Sequence, residues 1–435
     1  MGSTHLYLEP NASCSGTAEV PGDKSISHRA VMLASLAKGE SEVQGFLPST
    51  DCEATLAAFQ DMNVQVERID DTSIRIQGVG LYGLRAPSNA LDMGNSGTAM
   101  RLMAGILSGQ NFTSTLIGDH SLLSRPMQRI QAPLKKMGAN ITSEQNYTPP
   151  LVIQPSNELL GINYALSVPS AQVKSCVLLA GLYAHGETCV EEDTSTRDHT
   201  ERMLQTFSYP IEVNDQSVCV EGGRELLASN IEIPGDISSA AFLIVGALIS
   251  DNSMLTIRKV GINPTRDGII QILRLMGADI QITNKCNMGM EPIADLVIKS
   301  SNLNGIDIPQ SLIANSIDEF PIIFIAAACA QGVTTLNGAE ELRVKESDRI
   351  AMMAAGLKVL GISVDEKPDG LVVRGGKIQG GKIDSGGDHR IAMAFAMASI
   401  KASSVITVLN TDNVMTSFPN FVATVSELGL KISQL

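Results

Sequence analysis

The sequence predicts an α/β protein of two domains, each made of three repeats that place helices inside and sheets outside. Three observations carry this expectation. A polar turn leading into a small-residue apolar helix recurs six times along the 435 residues at a nearly regular interval, the mark of a repeat architecture. Those six helices are apolar nearly all round, which suits an interior helix with sheets packed around it. Short stretches of alternating apolar and polar residues lie between them, as half-buried strands require. A chain of 435 residues is also too long for one ordinary core, so the six repeats divide into two domains.

Composition narrows the class. Hydrophobic residues make up 44% and charged residues 18%, which is globular and neither disordered nor coiled coil. Trp is absent and aromatics are 4%, so the cores must be built from Ala, Leu, Ile, Val and Met. A net charge of −14 excludes a general nucleic-acid binder while leaving room for a local cluster of cations. Seven cysteines show no CxxC spacing, so neither a zinc site nor a disulfide framework is expected. The first residues lack signal or transit character, and no run reaches the roughly 18 apolar residues of a membrane span. A cytoplasmic protein is expected.

Taken in order, the six polar turns begin at Lys24, Gly94, Ser170, Gly235, Asp318 and Gly387. Alternating stretches at residues 73–77, 113–117, 140–143, 151–154, 231–233, 255–257, 279–283, 370–373 and 405–408 read as strands. Amphipathic second helices read at 51–59, 127–138, 199–204, 266–277 and 347–357, several ending in Gly as a left-handed helix terminus prefers. Pro-Gly-Asp turns stand at 21–23 and 234–236, natural points for the chain to cross between domains. Residues 1–21 with 235–435 are therefore expected to form one domain and 22–234 the other.

The chemistry lies in the turns. Lys24, Arg29, Arg101, Arg125, Lys174, Arg197, Lys345, Arg349 and Arg390 mostly sit at or within a turn of a helix start. A cation there opposes the helix dipole, an arrangement that makes sense when an anion sits among them. Local pairing with neighbouring acids, such as Lys24 with Asp23 or Arg390 with Asp388, is the alternative. The densest stretch is LRVKESDRI (residues 342–350), where Glu346 stands between Lys345 and Arg349; if a helix opens at Glu346, its first N–H groups add positive charge there. Cations hold a multiply charged substrate and a carboxylate moves a proton on it. The candidate proton movers are Asp318, Glu346, Asp51 and Lys345. No P-loop or dinucleotide fingerprint is present, no nucleophile elbow can be read, and His28, His120, His199 and His389 lack metal-ligand spacing. Each histidine reads as a structural hydrogen-bonder.

Seven motifs resemble one family. PGDKSISHRA (21–30), GNSGTAMRL (94–102), SRPM (124–127), SAQVKS (170–175), IDEFP (317–321), RVKESDR (343–349) and DHRIAMA (388–394) together closely resemble the 5-enolpyruvylshikimate-3-phosphate synthases. The motifs span the chain in the family's order, and TRDHTERML (196–204) looks more like its bacterial class II branch. The resemblance implies two domains of three βαβαββ units and transfer of the enolpyruvyl group of phosphoenolpyruvate to the 5-hydroxyl of shikimate 3-phosphate, without a cofactor or metal. It implies that Lys24, Ser25, Arg29, Ser170, Ala171, Gln172, Arg197, Asp318 and Lys345 hold shikimate 3-phosphate. It likewise implies that Lys24, Asn95, Gly97, Arg125, Gln172, Lys345, Arg349 and Arg390 hold phosphoenolpyruvate. Asp318 or Lys345 then fits the base at the 5-hydroxyl, and Glu346 the proton donor to C3 and acceptor from it, with Lys24 beside them.

Two positions depart from the class I pattern: Leu102 stands where Pro is usual, and Thr416 where a basic residue precedes SFP. Gly97 is retained where glyphosate-insensitive class II enzymes often carry Ala, so glyphosate is expected to compete with phosphoenolpyruvate. Two other readings remain at this point, the related UDP-N-acetylglucosamine enolpyruvyl transferase and a non-catalytic anion-binding scaffold. The first has Lys-Asn where this chain has Lys24-Ser25, and the second would not need both Asp318 and Glu346. A monomer is expected, since no extended apolar surface stripe is apparent. Two cation-rich domains should also stand apart when empty and draw together as shikimate 3-phosphate neutralises them. Small-angle scattering should therefore show compaction on adding that ligand, and an unchanged radius of gyration contradicts the expectation.

Overall fold

The computed structural model describes residues 4–10 and 12–435; residues 1–3 and Asn11, which fall in the first expected domain segment, lie outside the described residues. The chain divides into two compact units. The first comprises Met1–Pro21, Pro234–Asn287 and Glu291–Leu435, and the second Gly22–Ile233 with Met288–Met290. Each unit has its own hydrophobic core.

The polar-turn helices become the centre of each unit. In the second unit they are α1 (Lys24–Leu36), α2 (Gly97–Ser108) and α3 (Ala171–Gly181). In the first unit they are α4 (Ile237–Ile249), α5 (Phe320–Cys329) and α6 (His389–Ala398). All 13 residues of α4 are buried, so it has no polar face to offer and belongs inside. Their turns supply the missing caps: Asp23, Ser96, Ser170, Asp236 and Asp388 each accept a backbone N–H of the first helical turn.

One connection pattern repeats around these helices. Strand Leu91–Asp92 leads through α2 to the parallel strand Ser114–Ile117. The outer helix Gln128–Lys136 and strand Asn140–Thr142 follow. Strand Leu151–Gln154 then returns between Ser114–Ile117 and Asn140–Thr142, antiparallel to both. The same order, first, second, fourth and third strand, holds in two other four-stranded sheets; in the remaining two a strand distant in the chain fills one place, Ile231–Glu232 that of the first and Leu6–Leu8 that of the fourth, and a three-stranded sheet keeps the last three. A parallel bridge between Asp307 and Thr335 marks where the first strand of that sheet would lie. This is the βαβαββ unit with its buried helix inside and its sheet outside, as the sequence led one to expect.

The repeats close by exchange of strands. Gly16–Glu19 runs directly into the turn before α1, yet it pairs with Met254–Gly261 in the first unit. Ile231–Glu232 runs into the turn before α4, yet it pairs with Lys38–Gln44 in the second. Gly22 stands at one of these crossings, where a Cβ would lie 1.9 Å from the carbonyl oxygen of Gly45, so only glycine fits.

Two features were not legible in the spacing. The sixth outer helix, Phe421–Glu427, has only seven residues, too few for a periodic pattern to declare itself. Cys189 and Cys219 form a disulfide although 30 residues separate them. They face each other on the antiparallel strands Glu187–Glu191 and Ser217–Glu221 with Cα atoms 4.1 Å apart, a proximity created by strand register and not by sequence spacing. Among the described residues no helix is long and apolar enough to cross a membrane.

The interior helices approach closely through small residues. A Cβ on Gly105 of α2 would lie 2.3 Å from the carbonyl oxygen of Cys176 on α3. Gly105→Ala must push these helices apart, and it should cost about 1–3 kcal/mol despite the better helix propensity of Ala. A lowered thermal unfolding midpoint is expected; an unchanged or raised one contradicts this packing.

Candidate functional site

In the second unit the first turns of α1, α2 and α3 are tied together by side chains. His28 of α1 bridges Thr55 at 2.8 Å and the α2 cap Ser96 at 3.2 Å. Burial, with Lys24 and Arg29 nearby, holds its pKa well below the usual value, so it stays a neutral connector. Gln172, in the first turn of α3, donates to Thr98 of α2 at 2.8 Å and accepts from Arg101 of α2 at 2.6 Å. The helix starts converge through these bonds.

The cations there differ in their company. Lys24, 19% exposed, pairs with the buried carboxylate of Asp51. Arg125 is buried, and its guanidinium holds the carbonyl and side-chain oxygens of Asn95 at 3.2 and 2.8 Å and Ser121 at 3.0 Å. These partners are neutral, so its charge is available to an anion. Asn95 is fixed in turn by donating to Asp119 at 2.7 Å. Gly97 keeps this corner open, since a Cβ would lie 2.7 Å from Nη1 of Arg101 and 3.3 Å from Nη1 of Arg125.

Arg29 is buried, and its guanidinium donates to the Ser25 carbonyl, Ser175 and Thr200 at 2.7–2.9 Å. Ser170 caps α3 and is half-buried, as are Ala171, Gln172 and Arg197. Lys174, one of the cations at a helix start, turns inward. It contacts Glu192 at 2.8 Å and Glu201 at 2.7 Å while only 1% exposed. Burial opposes the Lys174 charge, but the two carboxylates outweigh it and raise its pKa, and burial also pushes Glu201 up.

The first unit holds the other group. The helix after Lys345 opens at Arg349 with Asp348 as its cap, not at Glu346, because the Asp348 side chain captures the N–H of Ala351 at 3.0 Å. Glu346 therefore precedes the helix. Its carboxylate meets the guanidinium of Arg349, whose Nη1 also lies 3.3 Å from Asp318 and whose Nε donates to Asp388 at 2.8 Å. Lys345 approaches the same Asp318 oxygen at 3.5 Å. Arg390 donates to the Asp318 carbonyl at 2.9 Å and lies 3.5 Å from Glu319.

Arg349 is 1% exposed and Asp388 fully buried. Burial disfavours both charges, yet their attraction wins: the pKa of Arg349 is held above and that of Asp388 below the ordinary value. Asp388 also accepts from Ser347 at 3.0 Å and caps α6 at the N–H of Arg390, so one carboxylate places two guanidinium-bearing residues. It belonged to a quoted motif, but its role as organiser appears only in three dimensions. Of the departures, Leu102 is fully buried in α2, and the buried Thr416 donates to the Asn413 carbonyl at 2.7 Å.

For metal, Glu187, Cys189 and Cys219 lie together in the second unit, but the disulfide leaves no thiolate there to ligate an ion. What both groups can do is hold phosphate and carboxylate oxygens and, beside Asp318, Lys345 and Glu346, move protons.

Residues 8–425 match the family described as EPSP synthase (3-phosphoshikimate 1-carboxyvinyltransferase). A 3-phosphoshikimate 1-carboxyvinyltransferase of Methylococcus capsulatus is 56% identical over 423 residues, covering 97% of both chains. One from Legionella pneumophila is 54% identical over 430 residues, covering 99% of both. The solved EPSP synthase of Acinetobacter baumannii superposes with a TM-score of 0.89 at 49% identity, covering 99% of this chain and 100% of that one.

The Arg349–Asp388 pair predicts a sign. Because the folded-state pKa of Asp388 is depressed, its stabilisation is present above the unfolded pKa and lost as pH falls below the usual carboxylate range. Arg349→Met strands a buried carboxylate and should cost about 3–5 kcal/mol. Adding Asp388→Asn should recover part of that loss in denaturant melts; no recovery contradicts the pairing.

Proposed function

The chain belongs to the EPSP synthase family, and from that premise we propose how its residues divide the family's reaction. The chain transfers the enolpyruvyl group of phosphoenolpyruvate to shikimate 3-phosphate, releasing phosphate, in the shikimate pathway that leads to aromatic amino acids. With that reaction the readings as a UDP-N-acetylglucosamine transferase or a non-catalytic scaffold lapse.

In this proposal Lys24, Ser25, Arg29, Ser170, Ala171, Gln172 and Arg197, with Asp318 and Lys345, hold shikimate 3-phosphate. Lys24, Asn95, Gly97, Arg125, Gln172, Lys345, Arg349 and Arg390 hold phosphoenolpyruvate. The observation that carries the proposal is the sharing of one buried guanidinium, Arg349, by Asp318 and Glu346. An anionic substrate oxygen that takes over Arg349 frees both carboxylates for proton work.

The 5-hydroxyl oxygen then attacks C2 of phosphoenolpyruvate while its proton passes to Asp318 or Lys345. Glu346 delivers a proton to C3, giving a tetrahedral adduct. In the second half Glu346 takes a proton back from C3, the C2–O bond to phosphate breaks, and the leaving phosphate takes the proton held by the base. Lys24, Arg125, Lys345, Arg349 and Arg390 offset the charge that gathers on phosphate as that bond opens.

Further parts of the proposal are a monomeric, cytoplasmic enzyme whose two domains are residues 1–21 with 235–435 and residues 22–234. Glyphosate competes with phosphoenolpyruvate, consistent with the space left at Gly97. Millimolar glyphosate should inhibit at low phosphoenolpyruvate, and unimpaired turnover would remove this part. Asp318→Ala and Glu346→Gln should each lower turnover by about 10²-fold or more. Near-normal turnover in both would overturn the assigned roles.

A further inference from the structure

Arg101 stands at a helix start like the other cations, yet it has no assigned substrate contact. Its Nη1 donates to Oε1 of Gln172 at 2.6 Å and lies 3.4 Å from the carbonyl oxygen of Gly97. Gln172 Nε2 donates in turn to Oγ1 of Thr98 at 2.8 Å. Thr98 and Arg101 belong to α2 and Gln172 to α3, so the amide is gripped from the neighbouring helix at both ends.

The two ends of a glutamine amide have nearly the same shape, and only their partners decide which way it faces. The Thr98 hydroxyl accepts or donates and cannot decide. The Arg101 guanidinium only donates, so it admits the amide oxygen and rejects the nitrogen. With Oε1 and one hydrogen of Nε2 engaged, the second hydrogen of Nε2 is what Gln172 has left to offer. A flipped amide would set a carbonyl lone pair against a phosphate or carboxylate.

We infer that Arg101 is the positioning residue for Gln172, locking its amide so that it presents an N–H and not a carbonyl to an anionic substrate. The inference rests on the proposed reading of Gln172 as a substrate ligand. It also gives Gly97 a second function. A side chain there would meet Nη1 of Arg101 at 2.7 Å and disturb the lock as well as crowd the site.

Steady-state kinetics on folded variants test this. Arg101→Met and Gln172→Met should each raise KM for phosphoenolpyruvate about tenfold, with a smaller change in kcat. The double variant should be no worse than Gln172→Met alone, because both changes remove the same donor. Arg101→Lys, which keeps a charged donor at Oε1, should recover most of the affinity. If Arg101→Met does not fold, Arg101→Gln replaces it. That variant accepts as well as donates, and it should also raise KM. Effects that add in the double variant overturn the inference, as does an unchanged KM in the Arg101 variants while Gln172→Met raises it. An unchanged KM in Gln172→Met would instead overturn the ligand reading, and this inference with it.

Discussion

The buried pair of Arg349 and Asp388 is the constraint around which the first unit's site is arranged. A carboxylate with no exposure is tolerable in this low-dielectric interior only because the guanidinium of Arg349, itself 1% exposed, pairs with it. Their attraction fixes the start of the helix Arg349–Val359 against the start of α6. Once that is done, the free side of Arg349 faces Asp318 and Glu346, and Arg390 is placed by its own backbone N–H on Asp388. One internal ion pair thus sets the position of two further carboxylates and a second cation.

The second unit reaches a similar end with mostly neutral groups. His28, Ser96, Thr98, Asn95 and Gln172 link the first turns of three buried helices, and the charges of Lys24 and Arg125 stand among them. Lys174 shows the other fate of a cation at a helix start. Drawn into the interior by Glu192 and Glu201, it serves the fold. Cations that oppose a helix dipole therefore form a class of positions. Whether each one faces a ligand or a buried acid depends on residues distant in the chain.

That difference explains what could be read from the sequence. The six interior helices were legible because an all-round apolar segment behind a polar turn admits few other placements, and the strands because their alternation is local. The motif residues of the site were legible in kind. Their partners were not: Asp388 with Arg349 spans 39 positions, Arg101 with Gln172 spans 71, and Cys189 faces Cys219 through strand register. The helix start at Arg349 was not legible because the capping choice between neighbouring acidic residues is decided by which side chain reaches the free N–H. Short elements such as Phe421–Glu427 carry too few residues for any period to show.

In the proposed mechanism cations and carboxylates alone carry out the transfer, with each substrate needed to complete the charge balance. Phosphate release measured with the purified chain, a chelator present and no metal added, tests it most directly. Release is expected only when shikimate 3-phosphate and phosphoenolpyruvate are both present, at a rate the chelator does not change. Release from phosphoenolpyruvate alone, or loss of activity on chelation, would contradict it.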